Sequence, residues 1–412
     1  MKRLTVVMGL LAAACSLLTS ESQDPPPLLT SLPRSLSPTE ADLVAAGNGF
    51  GFDLLRRARG TGADSNIFLS PISATMALGM TLNGAAGLTL DSMRVALHLG
   101  IASQSEVNAG FRSLIDLLRS LDSTSEFRIA NSIWATIGIP WRPEFLDAGR
   151  TSFDAEIRSL DLQAPATPGI INDWVKEKTN GKIPTILDQI SSDEVMFLIN
   201  AIYFKGQWRL GFDPKRTAPG TFQPALGPVQ TVPMMSLEPD TLRYGAAPGV
   251  ELVELLYGNG AFAMTIVLPQ PGRTLADLTE GLDAARWAEW TAGLGKTKLG
   301  LVLPKFRLEY KRELKDDLSA LGMRRAFDPE LADFSGMADV SQLGGNLFLT
   351  RVTQKTFVDV NEEGTEAAAA TSVGVGVTSA PAMFVVNRPF LFAIRERFSG
   401  TVLFLGQITR IP

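Results

Sequence analysis

From Thr365 to Thr378 the residues alternate with a period of two. Thr365, Ala367, Ala369, Thr371, Val373, Val375 and Val377 share one face, and Glu366, Ala368, Ala370, Ser372, Gly374, Gly376 and Thr378 share the other. The first face is small at its start and β-branched further on, so a sheet can bury it without steric objection and at little side-chain entropy cost. The same stretch is also written as a loop: Gly364, Gly374 and Gly376 loosen the backbone, and Ala367 to Ala370 offer no bulky apolar anchor. A helix start over Gly364 to Ala370 and a flexible Gly-Val linker are the competing readings, since alanine is the best helix former. Neither accounts for the period of two, nor for the apolar strand-like blocks on both sides, Asn346 to Val360 and Met383 to Ile394. The pattern favours a strand that forms only under some condition.

At the other end, Lys2 and Arg3 precede an apolar run from Leu4 to Ala14 that is too short to span a bilayer comfortably. Cys15, the only cysteine, follows Ala12-Ala13-Ala14. The arrangement resembles a bacterial lipoprotein signal, with alanine where leucine is usual three residues before the cysteine; ordinary export with an incidental cysteine is the alternative. Residues 1–15 are expected to be a signal segment with Cys15 the lipidation site. The chain is then exported, to an extracellular, cell-surface or periplasmic location, and contains no disulfide. Residues 16–36 read as a flexible tether, stiffest at Asp24-Pro25-Pro26-Pro27. Ser37-Pro38-Thr39-Glu40 is a capping box with proline at the first helical position, opening an apolar-periodic helix to Arg57. No second linker or internal repeat divides residues 37–412, so one large mixed α+β domain is expected.

Composition removes several function classes. With 45% hydrophobic and 20% charged residues and a net charge of −5, the chain reads as a soluble globular protein. It has no basic stripe with interleaved aromatics, which argues against nucleic acid. The richest charged stretch, Glu309 to Asp317, mixes signs and reads as a solvated helical face. A Ser-His-Asp or Cys-His site needs a histidine base, and the one histidine, His98, lies near a helix end before Gly100. One His and one Cys make no transition-metal site, although carboxylates can bind calcium without a visible motif. Gly181-Lys182 is not a phosphate loop, because Lys176 stands where the first glycine belongs and Ile183 follows the lysine. The chain is therefore read as a non-enzyme with no cofactor.

Glu362-Glu363-Gly364-Thr365-Glu366-Ala367-Ala368-Ala369-Ala370-Thr371 resembles the hinge of the reactive-centre loop of inhibitory serpins, and Phe384 to Ile394 (FVVNRPFLFAI) the family's C-terminal signature. Further matches follow in family order: Asn66 to Ser73, Phe127 to Trp134, Ile171 to Ile183, Leu198 to Trp208 with Phe212-Asp213-Pro214, Leu303-Pro304-Lys305-Phe306 and Leu321-Gly322-Met323. The resemblance covers nearly all of residues 37–412 and points to a bacterial member. It implies three β-sheets, the largest of five strands, about nine helices, and a loop exposed at one pole over about residues 362–383.

The implied activity is inhibition of serine proteases by a monomeric suicide substrate. The protease cleaves the loop, forms an acyl-enzyme, and is trapped as the freed segment enters the main sheet as a new strand. The register implied by the resemblance makes Thr378 the scissile residue and Ser379 its successor, with Val377 a close alternative. Threonine preceded by valine suits elastase-like or subtilisin-like proteases, and no Lys or Arg between Gly364 and Asn387 serves a trypsin-like one. The resemblance also implies a polar sheet-opening cluster of Ser70, Ser73 and Asn200, with Trp208 beside it. Gln354 stands in place of the family's histidine, and with two donors and an acceptor it is expected to bridge the group. The alternative is a non-inhibitory serpin, a binding, carrier or chaperone-like protein whose loop is only a substrate; such hinges usually carry bulky, charged or proline residues, whereas no proline or inward-facing charge interrupts the first half of this one.

Overall fold

The capping box opens the first helix, α1 (Pro38–Gly60). Ser37 donates its backbone N–H to the Glu40 carboxylate at 2.7 Å, and Glu40 returns an N–H to Ser37 Oγ at 3.2 Å. This computed structural model describes residues 26–60, 64–339, 341, 345–365 and 382–412. After α1 come β1 (Ile67–Leu69), α2 (Pro71–Leu82), α3 (Gly87–Ala96), α4 (Gln104–Ser120), β2 (Glu126–Thr136), α5 (Pro143–Phe153), β3 (Ala155–Leu160) and α6 (Thr167–Lys178). The middle of the chain is strand-rich: β4 (Met196–Gln207), β5 (Ala218–Phe222), β6 (Gln230–Ala247), β7 (Val250–Leu256) and β8 (Phe262–Pro269). Two short helices, α7 (Leu275–Thr279) and α8 (Ala284–Ala292), lead to β9 (Gly295–Pro304), β10 (Phe306–Glu313) and α9 (Lys315–Ala320). The chain closes with β11 (Thr353–Val360), β12 (Gly364–Thr365), β13 (Met383–Val385), β14 (Phe390–Glu396) and β15 (Val402–Ile408).

The strands form two hydrogen-bonded networks. One has six strands in the order β10-β11-β12-β4-β2-β3; the other has nine, β1-β15-β14-β8-β7-β6-β9-β13 with β5 on β6. The long β6 joins two of the three expected sheets, pairing with β5 and β9 before a register shift between Leu237 and Asp240 and with β7 and β9 after it. β14 and β15 are buried at every position, which is why both read as unbroken apolar runs in sequence. A second core on the outer face of the six-stranded sheet gathers Trp134, Trp174, Phe197, Ile199 and Ala201 with Ile183, Ile186 and Leu187.

Three local expectations are corrected, and the expected place of His98 near a helix end is met. Glu309 to Glu313 is not helical but belongs to β10, where exposed Arg307, Glu309, Lys311 and Glu313 alternate with inward Leu308 and Tyr310; helix begins only at Lys315. The block Asn346 to Val360 is strand only from Thr353 onward. Residues 26–36, read as tether, lie against the body: Leu29 donates its N–H to Asn259 O at 2.8 Å, and Leu29, Leu32 and Leu36 pack on the core. His98 sits beyond the end of α3 with φ of 57°, its Nε2 2.8 Å from Asp53 Oδ2.

Candidate functional site

β12 is the whole of the ladder joining β11 to β4. Thr365 pairs with Val360 on one side and Gly206 on the other, and Gly364 pairs with Gln207. Among the described residues β11 and β4 share no direct pairing, so below Thr365 the sheet is split. Two hinge residues, Gly364 and Thr365, are thus already strand. The rest of the hinge, Glu366 to Thr371, lies outside the described residues, as do Val377, the Thr378–Ser379 bond and Cys15.

Local chemistry explains why these two residues can sit there. At Gly364 φ is 155°, and a Cβ would lie 2.1 Å from the Gly206 carbonyl oxygen, so only glycine lets the backbones approach. Gly206 makes room in turn, since a Cβ there would meet the Tyr257 ring at 2.7 Å. Thr365 is 3% exposed, with its hydroxyl 2.8 Å from the Tyr257 hydroxyl. The Tyr257 ring is buried, stacked on Trp208 at 4.5 Å between centroids and edge-on to Phe204 at 4.9 Å. Burial pushes the Tyr257 phenol far above its ordinary pKa, against the opposing pull of the Thr365 hydrogen bond, so both hydroxyls are neutral and each can donate or accept.

Ahead of the glycine, residues 361–363 form a latch. Trp208 N–H donates to Glu363 O at 2.8 Å, Phe212 N–H to Glu362 O at 2.8 Å, and the Trp208 indole to Asn361 O at 2.9 Å. The Glu362 carboxylate accepts from Lys305 Nζ and Thr217 Oγ1, both at 2.8 Å. Burial disfavours its charge, yet the Lys305 and Thr217 bonds hold its pKa below the usual carboxylate range. With Lys305 half exposed, this pair contributes about 1 kcal/mol at most.

The sheet-opening residues divide into separate groups. Gln354 is committed to one partner, donating Nε2–H to Ser70 O at 2.8 Å and accepting from Ser70 N–H at 3.0 Å. Ser70 Oγ donates to Leu403 O at 2.7 Å and caps α2 by accepting from Ser73 N–H at 3.3 Å. Asn200 turns instead to Asn131, donating to its Oδ1 at 2.6 Å, and its own buried Oδ1 finds no donor among the described residues. Among the described residues Gln354 makes no hydrogen bond to Ser73 or Asn200; of the expected group it reaches only Ser70, with its carbonyl oxygen and one N–H. Trp208 lies apart from this group, at the top of the sheet in the latch. Ser73, Asn200 and Gln354 do line one cavity of about 130 Å³ between β4 and residues 347–354.

The arrangement is a sheet split between two neighbouring strands, with two residues near the start of a loop, Gly364 and Thr365, wedged into its upper end. The family model for serpins, serine protease inhibitors, matches residues 45–411. The chain belongs to the serpin family. Members of this family are in general protease inhibitors rather than enzymes. The chain is 32% identical to human (Homo sapiens) serpin B11 over 390 residues, covering 89% of this chain and 98% of that protein. It is 34% identical over 378 residues to the leukocyte elastase inhibitor of Xenopus tropicalis, covering 89% and 98%. Among solved structures, that of the thermophilic serpin tengpin in the native state superimposes with a TM-score of 0.81 at 29% identity, covering 92% of this chain and 96% of tengpin.

Several residues that shape this serpin's hinge carried no signal in sequence. Tyr257 is one of four tyrosines with nothing to mark it, and Thr217 stands in an unremarkable loop. Lys305 lies within a matched block, Leu303 to Phe306, but only folding brings it to Glu362.

Proposed function

We propose that this serpin is a suicide-substrate inhibitor of serine proteases, trapping the acyl-enzyme by inserting its cleaved loop into the six-stranded sheet. The observation that carries this reading is the seated hinge: Gly364 and Thr365 already pair with both strands that the inserted loop would join. Continuing the two registers downward would set Thr371 between Gln354 and Asn200. The buriable face of Thr365 to Val377 would line the split, and at roughly 1 kcal/mol net per hydrogen bond the new strand gains on the order of 10 kcal/mol before packing. Small residues at positions 367 and 369 keep insertion fast relative to deacylation.

Cleavage after Thr378 by an elastase-like or subtilisin-like protease follows from the threonine and its preceding valine. The protein is read as a monomer, exported by residues 1–15, with Cys15 the candidate point of lipid attachment. Incubation with an elastase followed by a denaturing gel tests the central reading. A covalent band at the summed mass supports it. Clean cleavage without that band replaces it with the non-inhibitory alternative.

A further inference from the structure

From Thr217 to Leu237 the sequence holds no charged residue. β5 and the first part of β6 lie in this stretch and form a hairpin, in register from Ala218 opposite Met234 to Phe222 opposite Gln230. Its turn projects from the body. Ala225, Leu226, Gly227, Pro228 and Val229 are exposed in succession, Leu226 at 68% and Val229 at 55%. An exposed run of this length without a polar side chain is a solubility fault unless it meets a partner. The turn is also rigid. Gln223 donates its N–H to Asn387 O and Ala225 donates to Thr409 O, both at 2.8 Å, while Gln230 and Ile411 exchange bonds of 3.0 and 2.9 Å. Pro224 and Pro228 restrict the backbone on either side of Gly227, whose φ of 94° suits glycine. The apolar tip therefore holds its shape before any partner arrives, which lowers the ordering cost of binding.

Position decides what that partner is, because β5 spans the two roots of the loop. At its start, Thr217 Oγ1 donates to the Glu362 carboxylate at 2.8 Å, in the latch ahead of the hinge strand. At its end, Gln223 bonds Asn387 just past β13, where the loop has returned to the body. Asn387 follows Ser379 by eight residues, so even a fully extended chain keeps the scissile bond within about 27 Å of this contact. A protease domain of about 200 residues, with a radius of gyration of about 16 Å, is wide enough to sit on the loop and rest on the hairpin tip. A stable protease–inhibitor contact buries about 800 Å² on each partner, more than a short extended stretch supplies alone. A lipid surface is the other apolar partner to weigh. Interfacial segments carry Lys or Arg beside their apolar tip, and none occurs from Thr217 to Leu237.

We propose that residues 225–229 are a second docking point for the target protease, set against an apolar hollow on the protease's rim while Thr378 occupies its specificity pocket. The inference rests on the inhibitory reading above and adds a determinant of which protease is captured. Leu226 and Val229 are the side chains that make the contact. Their effect falls on the encounter complex, ahead of acylation and insertion. The tip thus selects, among proteases that would all accept a threonine, those whose surface beside the cleft is apolar. Such a contact is insensitive to salt, unlike steering by charge.

The test compares the intact protein with the double variant Leu226→Ser, Val229→Ser, using active elastase and an elastase whose catalytic serine is replaced by alanine, which docks without acylation. Docking on the inactive enzyme should weaken about five- to tenfold in the double variant, and inhibition of the active enzyme should slow by the same factor. The difference should be the same at about 0.05 M and about 0.5 M salt. The final yield of covalent complex and the melting midpoint should not change, since both side chains are exposed and lie outside the hinge. Leu226→Met with Val229→Ile keeps the tip apolar and should keep parental affinity. Leu331→Ser removes an exposed leucine beside α3, on the segment where Asp333 O accepts from Ala86 N–H, and should leave docking as it is. Equal docking by the parent and the double variant overturns the proposal, and so does an equal loss in Leu331→Ser. Concentration-dependent dimers, or flotation with phosphatidylcholine vesicles, seen in the parent and lost in the double variant, overturn it by assigning the tip to a second copy or to a lipid surface. If neither protein forms a covalent band while docking differs as expected, the trapping reading falls and the docking point stands. A parent that does not dock on the inactive enzyme overturns both.

Discussion

Thr365→Arg separates protease recognition from insertion. In the native protein Thr365 is 3% exposed, with its hydroxyl on that of Tyr257, whose ring Trp208 and Phe204 flank, and about 10 Å³ of free space beside it. A guanidinium has no acceptor and no room there, and stranding it would cost several kcal/mol. The cheaper response is for Gly364 and Thr365 to leave the sheet, giving up two or three ladder hydrogen bonds and the Tyr257 contact, about 2–3 kcal/mol in all. The variant should therefore fold with its hinge expelled and with a correspondingly lower melting midpoint. Insertion after cleavage then has to force the arginine back under the sheet. A barrier higher by about 3 kcal/mol slows that step more than a hundredfold at 25 °C, and deacylation wins. Docking and cleavage at the distant scissile bond should be nearly unchanged. On a denaturing gel with elastase, the covalent band should give way to cleaved serpin, with active protease recovered. Trapping at parental stoichiometry would show that Thr365 does not enter the sheet during inhibition, and the mechanism proposed here would fall with it.

Other perturbations test the neighbouring claims. Gly364→Ala sets a Cβ against the Gly206 carbonyl at 2.1 Å and should also expel the hinge, seen as proteolysis at residues 362–365 that the parent resists; equal resistance would refute the close approach. Thr378→Arg should bring in trypsin-like proteases and weaken elastase inhibition, whereas unchanged elastase inhibition with cleavage mapped elsewhere would refute the register. Gln354→His can keep only one of the two Ser70 bonds. If it accepts from Ser70 N–H it is held neutral with a lowered pKa, so stability is lost as pH falls through about 6.5, and melting midpoints from pH 5 to 8 should slope where the parent's do not. Hydrogen bonds from Arg34 hold the Glu40 carboxyl at about 2; a depressed pKa gives stability that is complete above the unfolded value and lost on acidification toward pH 2. Glu40→Gln should therefore flatten that acid limb of the melting curve, and an unchanged limb would discount the pair.

Much was legible along the chain because the determining signals are local or periodic. The capping box at Ser37 and the unbroken apolar runs of β14 and β15 each specify their own element through nearest-neighbour chemistry. Serpin membership was likewise readable from ordered motifs, and the family match bears it out. Period alone could also have shown that Arg307 to Glu313 is an edge strand, had mixed charge not been taken for a helical face.

What only the tertiary structure decided were the partners of groups far apart in sequence. Glu362 meets Lys305 and Thr217, Thr365 meets Tyr257, and Gln354 meets the Ser70 backbone, and no spacing rule connects such positions. Sequence could say that Gln354 has two donors and an acceptor, but not that one residue's backbone would satisfy both ends. Nor could it say that the alternation beginning at Thr365 is already strand at its first step. That depends on two glycines, 364 and 206, from strands brought face to face, whose missing side chains leave the space the hinge fills.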